Sequence, residues 1–369
     1  MRLNILEHNI EHINQCPACE SKKRECISSV YSESDELNCF ETSYCLHCGL
    51  VYRSIRPNLK WFLNAWEKRE VFQTNNSINP INEIIEEERW NRYNNILSDI
   101  EEFITFDSVI DLGCGTGTGL LAFSEKGKSV TGIEPDISRA KYGVAKGVNI
   151  INTTIEEIDS SSVSSVDLAM SIHSLEHFHN MNEAIILLKE LVKEDGYVYI
   201  EVPDFMSYVT DANDSLYLGH LYNFSADSLI EAGLSNGLIP KVLMYPRSRP
   251  GGEANLAILF QRGVGSEGMD LKYFKPSLSD VLVRYASGIA NIDFLTWPMQ
   301  INIPEINDVS MAWKPDSKVT RTIQETNAKR TFTCAKEFVK VESQELVTEN
   351  KYYIPLTEKL QTLKIVMNA

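Results

Sequence analysis

The 369 residues hold no run of 18 apolar side chains, the length a helix needs to cross a bilayer, so no membrane span is expected. The opening M-R-L-N-I-L-E-H-N-I-E-H carries charges where a secretory leader has an apolar core, so a cytoplasmic protein is expected. No G-x-x-x-x-G-K-[ST] occurs, which removes the phosphate-gripping P-loop. Positive charge is scarce: Lys and Arg total 35 against 51 Asp and Glu, a net charge of −16. Phosphate-backbone binding needs clustered cations, so this balance argues against a nucleic-acid partner. Length is not lacking, and the chain is long enough for two or three domains and a sizeable core.

Cysteine is present in a telling arrangement, at 16, 19, 26, 39, 45, 48, 114 and 334. Cys16 and Cys19 form C-P-A-C; Cys45 and Cys48 form C-L-H-C-G. Each C-x-x-C turn points two thiolates at one spot, and two such turns complete the tetrahedral shell that zinc prefers. A closed Cys₄ shell leaves no open position, so a structural zinc is expected in a ribbon over residues 1–55. Cys39 and His47 stand as substitute ligands, and Cys26 reads as a small apolar filler. His8 and His12, four apart, would share a helical face if residues 1–15 were helical; two solvated histidines are the plainer reading.

The chain is organised around V-I-D-L-G-C-G-T-G-T-G at 109–119, followed by L-L-A-F. Apolar residues, an acid, closely spaced glycines and a second apolar run read as strand, tight turn and helix. Glycine permits positive φ and close approach of backbone N–H groups to a ligand. The next predicted strand, S-V-T-G-I, ends at Glu134, about 20 residues past the glycines, where an acid suits a ribose diol. Strand and helix patterns alternate from there to residue 202, which predicts a mostly parallel sheet covered on both faces. Residues 56–106 read as a helical connector whose aromatics, Trp61, Phe62, Trp66 and Phe72, either pack on the core or form a lid.

These segments, with V-D-L-A-M-S-I-H-S-L-E-H-F at 166–178 and L-V-K-E-D-G-Y-V-Y-I-E-V-P-D at 191–204, resemble the class I S-adenosylmethionine-dependent methyltransferases. The resemblance covers roughly residues 90–262. It implies a doubly wound, seven-stranded, mostly parallel α/β sheet, with the S-adenosylmethionine-binding domain over 107–262; residues 263–369 lie beyond the resemblance as a C-terminal extension. It implies that Asp111, Gly113, Gly115 and Gly117 hold the amino-acid end and ribose region of the cofactor. Glu134 would take the ribose hydroxyls, Thr154 and Ile155 would flank the adenine, and Ser171 would face the methionine end. Glu176 and His177 match the family's E-H pair, so both are candidate catalytic residues, with His177 expected to line the active site.

The stretch G-H-L-Y-N-F-S at 219–225 resembles a turn found in members that modify sugars and small metabolites, which makes His220 the leading general-base candidate. A zinc ribbon before such a domain is also similar to the deoxysugar C-methyltransferases. The acid before their histidine is Gly219 here, and their second glycine-rich turn is missing, which leaves O-methylation of a sugar at least as well supported. The expected function is therefore methyl transfer to a hydroxyl or carbon of a sugar, nucleotide-linked or in a glycan, with His220 or His177 as the general base. An RNA methyltransferase using the ribbon for substrate is the alternative, disfavoured by the acidic charge and by the lack of an N-P-P-Y-like site. A non-catalytic scaffold is the other. Arg247 and Arg249 in the loop R-S-R-P-G-G-E could grip an anionic acceptor. Residues 263–369 would complete the acceptor pocket or make a homodimer contact, with helices at L-S-D-V-L-V-R and Q-E-L-V-T and a strand near Tyr352–Leu356.

Overall fold

Four short antiparallel strands lie in the first sixty residues of the computed structural model, which describes residues 7–31, 38–67, 81–206, 219–246, 255–263, 276, 281, 300–302 and 353–355. The strands are β1 (Ile10–His12), β2 (Arg24–Tyr31), β3 (Asn38–Cys45) and β4 (Val51–Pro57), ordered β1-β4-β3-β2. His12 is therefore on a strand, and the helical pairing of His8 with His12 does not form. The C-x-x-C turns flank this sheet, one before β2 and one closing β3, and Gly49 takes φ 81° to finish the second turn. Cys26 is exposed and not a filler: on β2 the alternation buries its neighbour Ile27 instead. The side chains of Cys39 and Trp66, together with Phe72 and Cys334, lie outside the described residues.

Two helices follow. The first, α1 (Leu59–Glu67), starts where Asn58 Oδ1 accepts the Trp61 N–H at 3.0 Å. The second, α2 (Glu83–Glu101), is capped by Asn82 in the same way and ends five residues before the apolar pattern does. The main sheet then builds from β5 (Ser108–Leu112), α3 (Leu120–Glu125), β6 (Ser129–Ile133), α4 (Ile137–Ala145), β7 (Asn149–Ile151), β8 (Val166–Ile172), α5 (Met181–Leu191) and β9 (Val192–Pro203). After β10 (Tyr222–Asn223) and α6 (Ala226–Ser235), the hairpin β11 (Leu238–Met244) and β12 (Asn255–Arg262) completes it. The order is β11-β12-β9-β8-β5-β6-β7, with β12 antiparallel to both neighbours and every other neighbouring pair parallel. This is the expected seven-stranded, mostly parallel α/β sheet. Two later pieces extend the sheets: β13 (Gln300–Asn302) pairs with β2, and β14 (Tyr353–Pro355) adds an eighth strand beside β11.

The central strands are apolar on both faces because helices cover both. Val109, Ile110, Leu168, Ala169, Met170, Val198 and Ile200 are fully buried. On α5, Met181, Ala184, Ile185, Leu188 and Leu191 repeat at helical spacing and are likewise buried against the sheet. Each such leucine contributes about 2 kcal/mol, so truncating Leu188 would be a core-breaking change. Ser225 and Ser228 close a capping box at the start of α6.

The cysteine-bearing sheet is joined to the main domain through backbone. Strand β10 pairs with β4, Tyr222 opposite Tyr52 and Asn223 opposite Val51. The Arg53 N–H donates to Leu221 O at 3.0 Å. Arg56, buried, donates to Glu11 Oε1, to the Tyr222 hydroxyl and to His179 O at 2.6, 3.1 and 2.7 Å. Apart from Val281, which is helical and buried, the predicted C-terminal helices and the Arg247–Arg249 loop lie outside the described residues.

Candidate functional site

At the carboxyl edge of the main sheet the chain leaves β5 through the glycine turn. Gly113, at φ 83°, sits where a Cβ would lie 2.5 Å from Ser174 Oγ. Gly117, at φ 69°, has Ile150 in the same relation at 2.9 Å. Both positions demand glycine twice over, by conformation and by space. The turn is held from two sides. Glu134, at the end of β6, accepts the Gly115 N–H on Oε2 at 2.8 Å and the Asp136 N–H on Oε1 at 2.9 Å. From α2, Glu86 accepts the Thr116 and Thr118 hydroxyls and Arg89 donates to Thr116. Burial raises the Glu134 carboxyl above its ordinary range, while the two backbone N–H donors pull it back.

A cavity of about 540 Å³ opens beside this turn. Its floor is Leu112, Gly113, Glu134 and Pro135; Thr154 and Ile155 form one side. Leu59, Phe62 and Leu63 of α1 form an apolar wall, and His173, Ser174, His177, Phe178 and His179 close the end after β8. Of the residues singled out from sequence, Gly113, Glu134, Thr154, Ile155 and His177 reach the cavity. Asp111, Gly115, Gly117 and Ser171 lie in the shell around it. Asp111 Oδ2 accepts the Tyr93 hydroxyl at 2.7 Å, whereas its Oδ1 and the Ser171 hydroxyl are buried with no hydrogen-bond partner among the described residues. Full burial lifts the Asp111 carboxyl to about 7.

The E-H pair sits on a short turn. His177 Nδ1 meets Gly219 O at 2.9 Å; a carbonyl only accepts, so Nδ1 carries the proton and Nε2 is the basic nitrogen. Burial pushes the His177 imidazole down to about 4, so it is neutral at physiological pH. His220 is buried behind it, the two rings 4.8 Å apart, and does not line the cavity. Glu176 is buried as well, with Oε1 3.8 Å from His177 Nε2. Ligand-capable atoms of Glu176, His177 and His220 lie within 4.8 Å of one another. Sequence reasoning missed His173, which holds φ 50° and lines the cavity, because nothing local marks it.

These features suit S-adenosylmethionine. A sulfonium amino acid joined to a nucleoside needs an acid for its ribose, an apolar slot for adenine, and acceptors for its ammonium. Glu134 and the Thr154–Ile155 side line the cavity, and Asp111, with Oδ1 unpartnered among the described residues, lies buried in the shell around it. The four cysteines also suit a metal. Cys16 and Cys48 lie 3.5 Å apart, as do Cys19 and Cys45, and all four sulfurs fall within 4.8 Å. Sulfurs at 2.3 Å from a tetrahedral zinc would be about 3.8 Å apart.

Residues 85–238 match the family described as "Methyltransferase domain". A ubiquinone biosynthesis O-methyltransferase of Rickettsia akari is 31% identical over 145 residues, 37% of this chain and 54% of that protein. A probable S-adenosylmethionine-dependent methyltransferase of Saccharomyces cerevisiae is 28% identical over 159 residues, 37% and 52%. The chain spans about half the length of the curated relatives it matches. The crystal structure of a Burkholderia thailandensis 1,6-didemethyltoxoflavin N1-methyltransferase aligns with 64% of this chain and all of that one, at 14% identity and a TM-score of 0.45. The strand order, the glycine turn and the acid of β6 agree with the family match, which likens residues 85–238 to a methyltransferase domain.

Proposed function

We propose that this chain transfers the methyl group of S-adenosylmethionine to a hydroxyl of a small molecule. The observation that carries the reading is the joint opening of Glu134, the Gly113 turn and a neutral imidazole, His177, into one apolar-walled cavity. The cofactor brings its own leaving group, so the protein's work is alignment, exclusion of water and proton removal. Glu134 would take the ribose hydroxyls on lone pairs its two N–H donors leave open. Asp111 and the turn backbone would hold the amino-acid end, and Thr154 and Ile155 the adenine. Phe62, Leu63 and Phe178 would shield the reacting atoms from water. His177 Nε2 would take the hydroxyl proton; His220, buried behind it, supports the ring. The relatives named O-methyltransferases favour oxygen over carbon, and the G-H-L-Y-N-F-S turn points to a sugar as the narrower class of acceptor. The Cys16, Cys19, Cys45 and Cys48 cluster would hold a structural zinc that fixes β3 and β4. The test is formation of S-adenosylhomocysteine with a panel of sugars, nucleotide sugars and phenols. Turnover of one acceptor that falls about 100-fold in His177→Ala, with cofactor affinity kept, is the expected result. Undiminished turnover in that variant would remove the assignment.

A further inference from the structure

A buried polar relay ends at the cavity and has no part in the scheme above. Glu201, on β9, is fully buried and accepts from Arg92 of α2, from the Tyr199 hydroxyl at 2.6 Å and from Asn255 Nδ2 at 2.9 Å. A carboxylate receiving an arginine only accepts, so Asn255 must turn its amide nitrogen toward Glu201. Its Oδ1 then faces His173 Nε2 at 2.9 Å. An amide oxygen also only accepts, so Nε2 carries the imidazole proton and Nδ1 keeps a bare lone pair. His173 Nδ1 bonds to no described residue, and the ring lines the cavity beside His177 and Phe178. Its backbone holds φ 50°, a conformation rare for a residue with a side chain and one that clusters at functional sites. The polar groups around it come from every side: Arg92 from α2, Glu201 from β9, Asn255 from β12, and His177 and His220 from the turns beyond β8 and before β10. Burial, then the Arg92 charge, hold the imidazole well below its usual range, which keeps it neutral.

We propose that His173 is a specificity-determining residue of the acceptor pocket, whose Nδ1 receives a second hydrogen-bond donor on the acceptor, so that the enzyme selects compounds with two neighbouring hydroxyls. Asn255 and Glu201 are its positioning residues. This rests on the hydroxyl-methylation reading: the hydroxyl at His177 is methylated, and its neighbour is held by His173. A buried lone pair left without its donor is costly, so a mono-ol is disfavoured.

Two readouts test this. The first needs no acceptor: nitrogen-15 spectra of histidine-labelled protein saturated with S-adenosylhomocysteine. His173 is expected as the neutral Nε2–H tautomer, and Asn255→Ala is expected to mix the two tautomers. A dominant Nδ1–H form in the wild type would overturn the proposal. The second compares catechol with phenol as methyl acceptors. A preference for catechol of about 100-fold in kcat/KM is expected, falling to near unity in His173→Gly, a variant that tolerates the positive φ. Preference unchanged in that variant, or equal loss on both probes, would also overturn it. If the wild type methylates neither probe, hydroxyl methylation of phenols falls, while the tautomer spectrum still decides what His173 offers the cavity.

Discussion

Asp111 carries opposite demands within one side chain. Its carboxyl is fully buried, one oxygen bonded to Tyr93 and the other to no described residue, and burial lifts it to about 7 from an ordinary 3.8. An acid raised in the folded state favours folding while protonated. That stability is complete below about pH 4 and is lost as pH rises through about 7. Asp111→Asn in cofactor-free protein should therefore match or fall below the wild type near pH 4. It should gain on it steadily up to pH 8, by at most about 4 kcal/mol. Urea unfolding at both pH values measures this, and a difference independent of pH would contradict it. If Asp111 holds the amino-acid end as proposed, the same variant should bind cofactor about tenfold more weakly. The residue scale was also the most legible in sequence. Gly113, Gly117 and Glu134 are set by local turn chemistry, and local chemistry can be read from spacing. His173 could not be read that way: its meaning comes from Asn255 and Glu201, which are distant in sequence and meet it only once β8, β9 and β12 lie side by side.

At the scale of elements, β4 and β10 are the hinge between the cysteine module and the proposed active site. The path is continuous: Arg53 N–H to Leu221 O, Leu221 N–H to Glu176 O at 2.8 Å, and His177 Nδ1 to Gly219 O. Arg56 pins it by bonding both Tyr222 and His179 O. Arg56→Ala should cost about 2 kcal/mol, since it removes three hydrogen bonds of a buried guanidinium, while Tyr222 still donates to His179 O at 2.9 Å and His179 Nε2 still faces Glu11 at 3.2 Å. It should also speed hydrogen exchange at Leu221 more than at Val109 in the sheet core. Equal protection at Leu221 in variant and wild type would show that the pairing does not depend on Arg56. This link was not visible in sequence, because a two-residue strand has no periodicity to detect. The parallel strands were visible because their apolar runs are long and bounded by turns. The misreading of Cys26 has the same origin as most local errors: alternation along β2 depends on a register that the partner strand sets.

For the whole molecule, the net charge of −16 works against a polyanionic partner such as RNA. One cavity joins the connector to the main sheet, with α1 as its apolar wall and the glycine turn as its floor. No helix among the described residues is long and apolar enough to cross a membrane. Every functional statement above depends on that cavity taking the cofactor. The decisive measurement is titration calorimetry of the purified protein with S-adenosylhomocysteine, beside the Glu134→Ala variant. The account predicts one site per chain in the wild type, and an affinity about 10- to 100-fold weaker in the variant, the worth of hydrogen bonds to a buried carboxylate. Absence of binding in the wild type, or equal binding in both proteins, would contradict it.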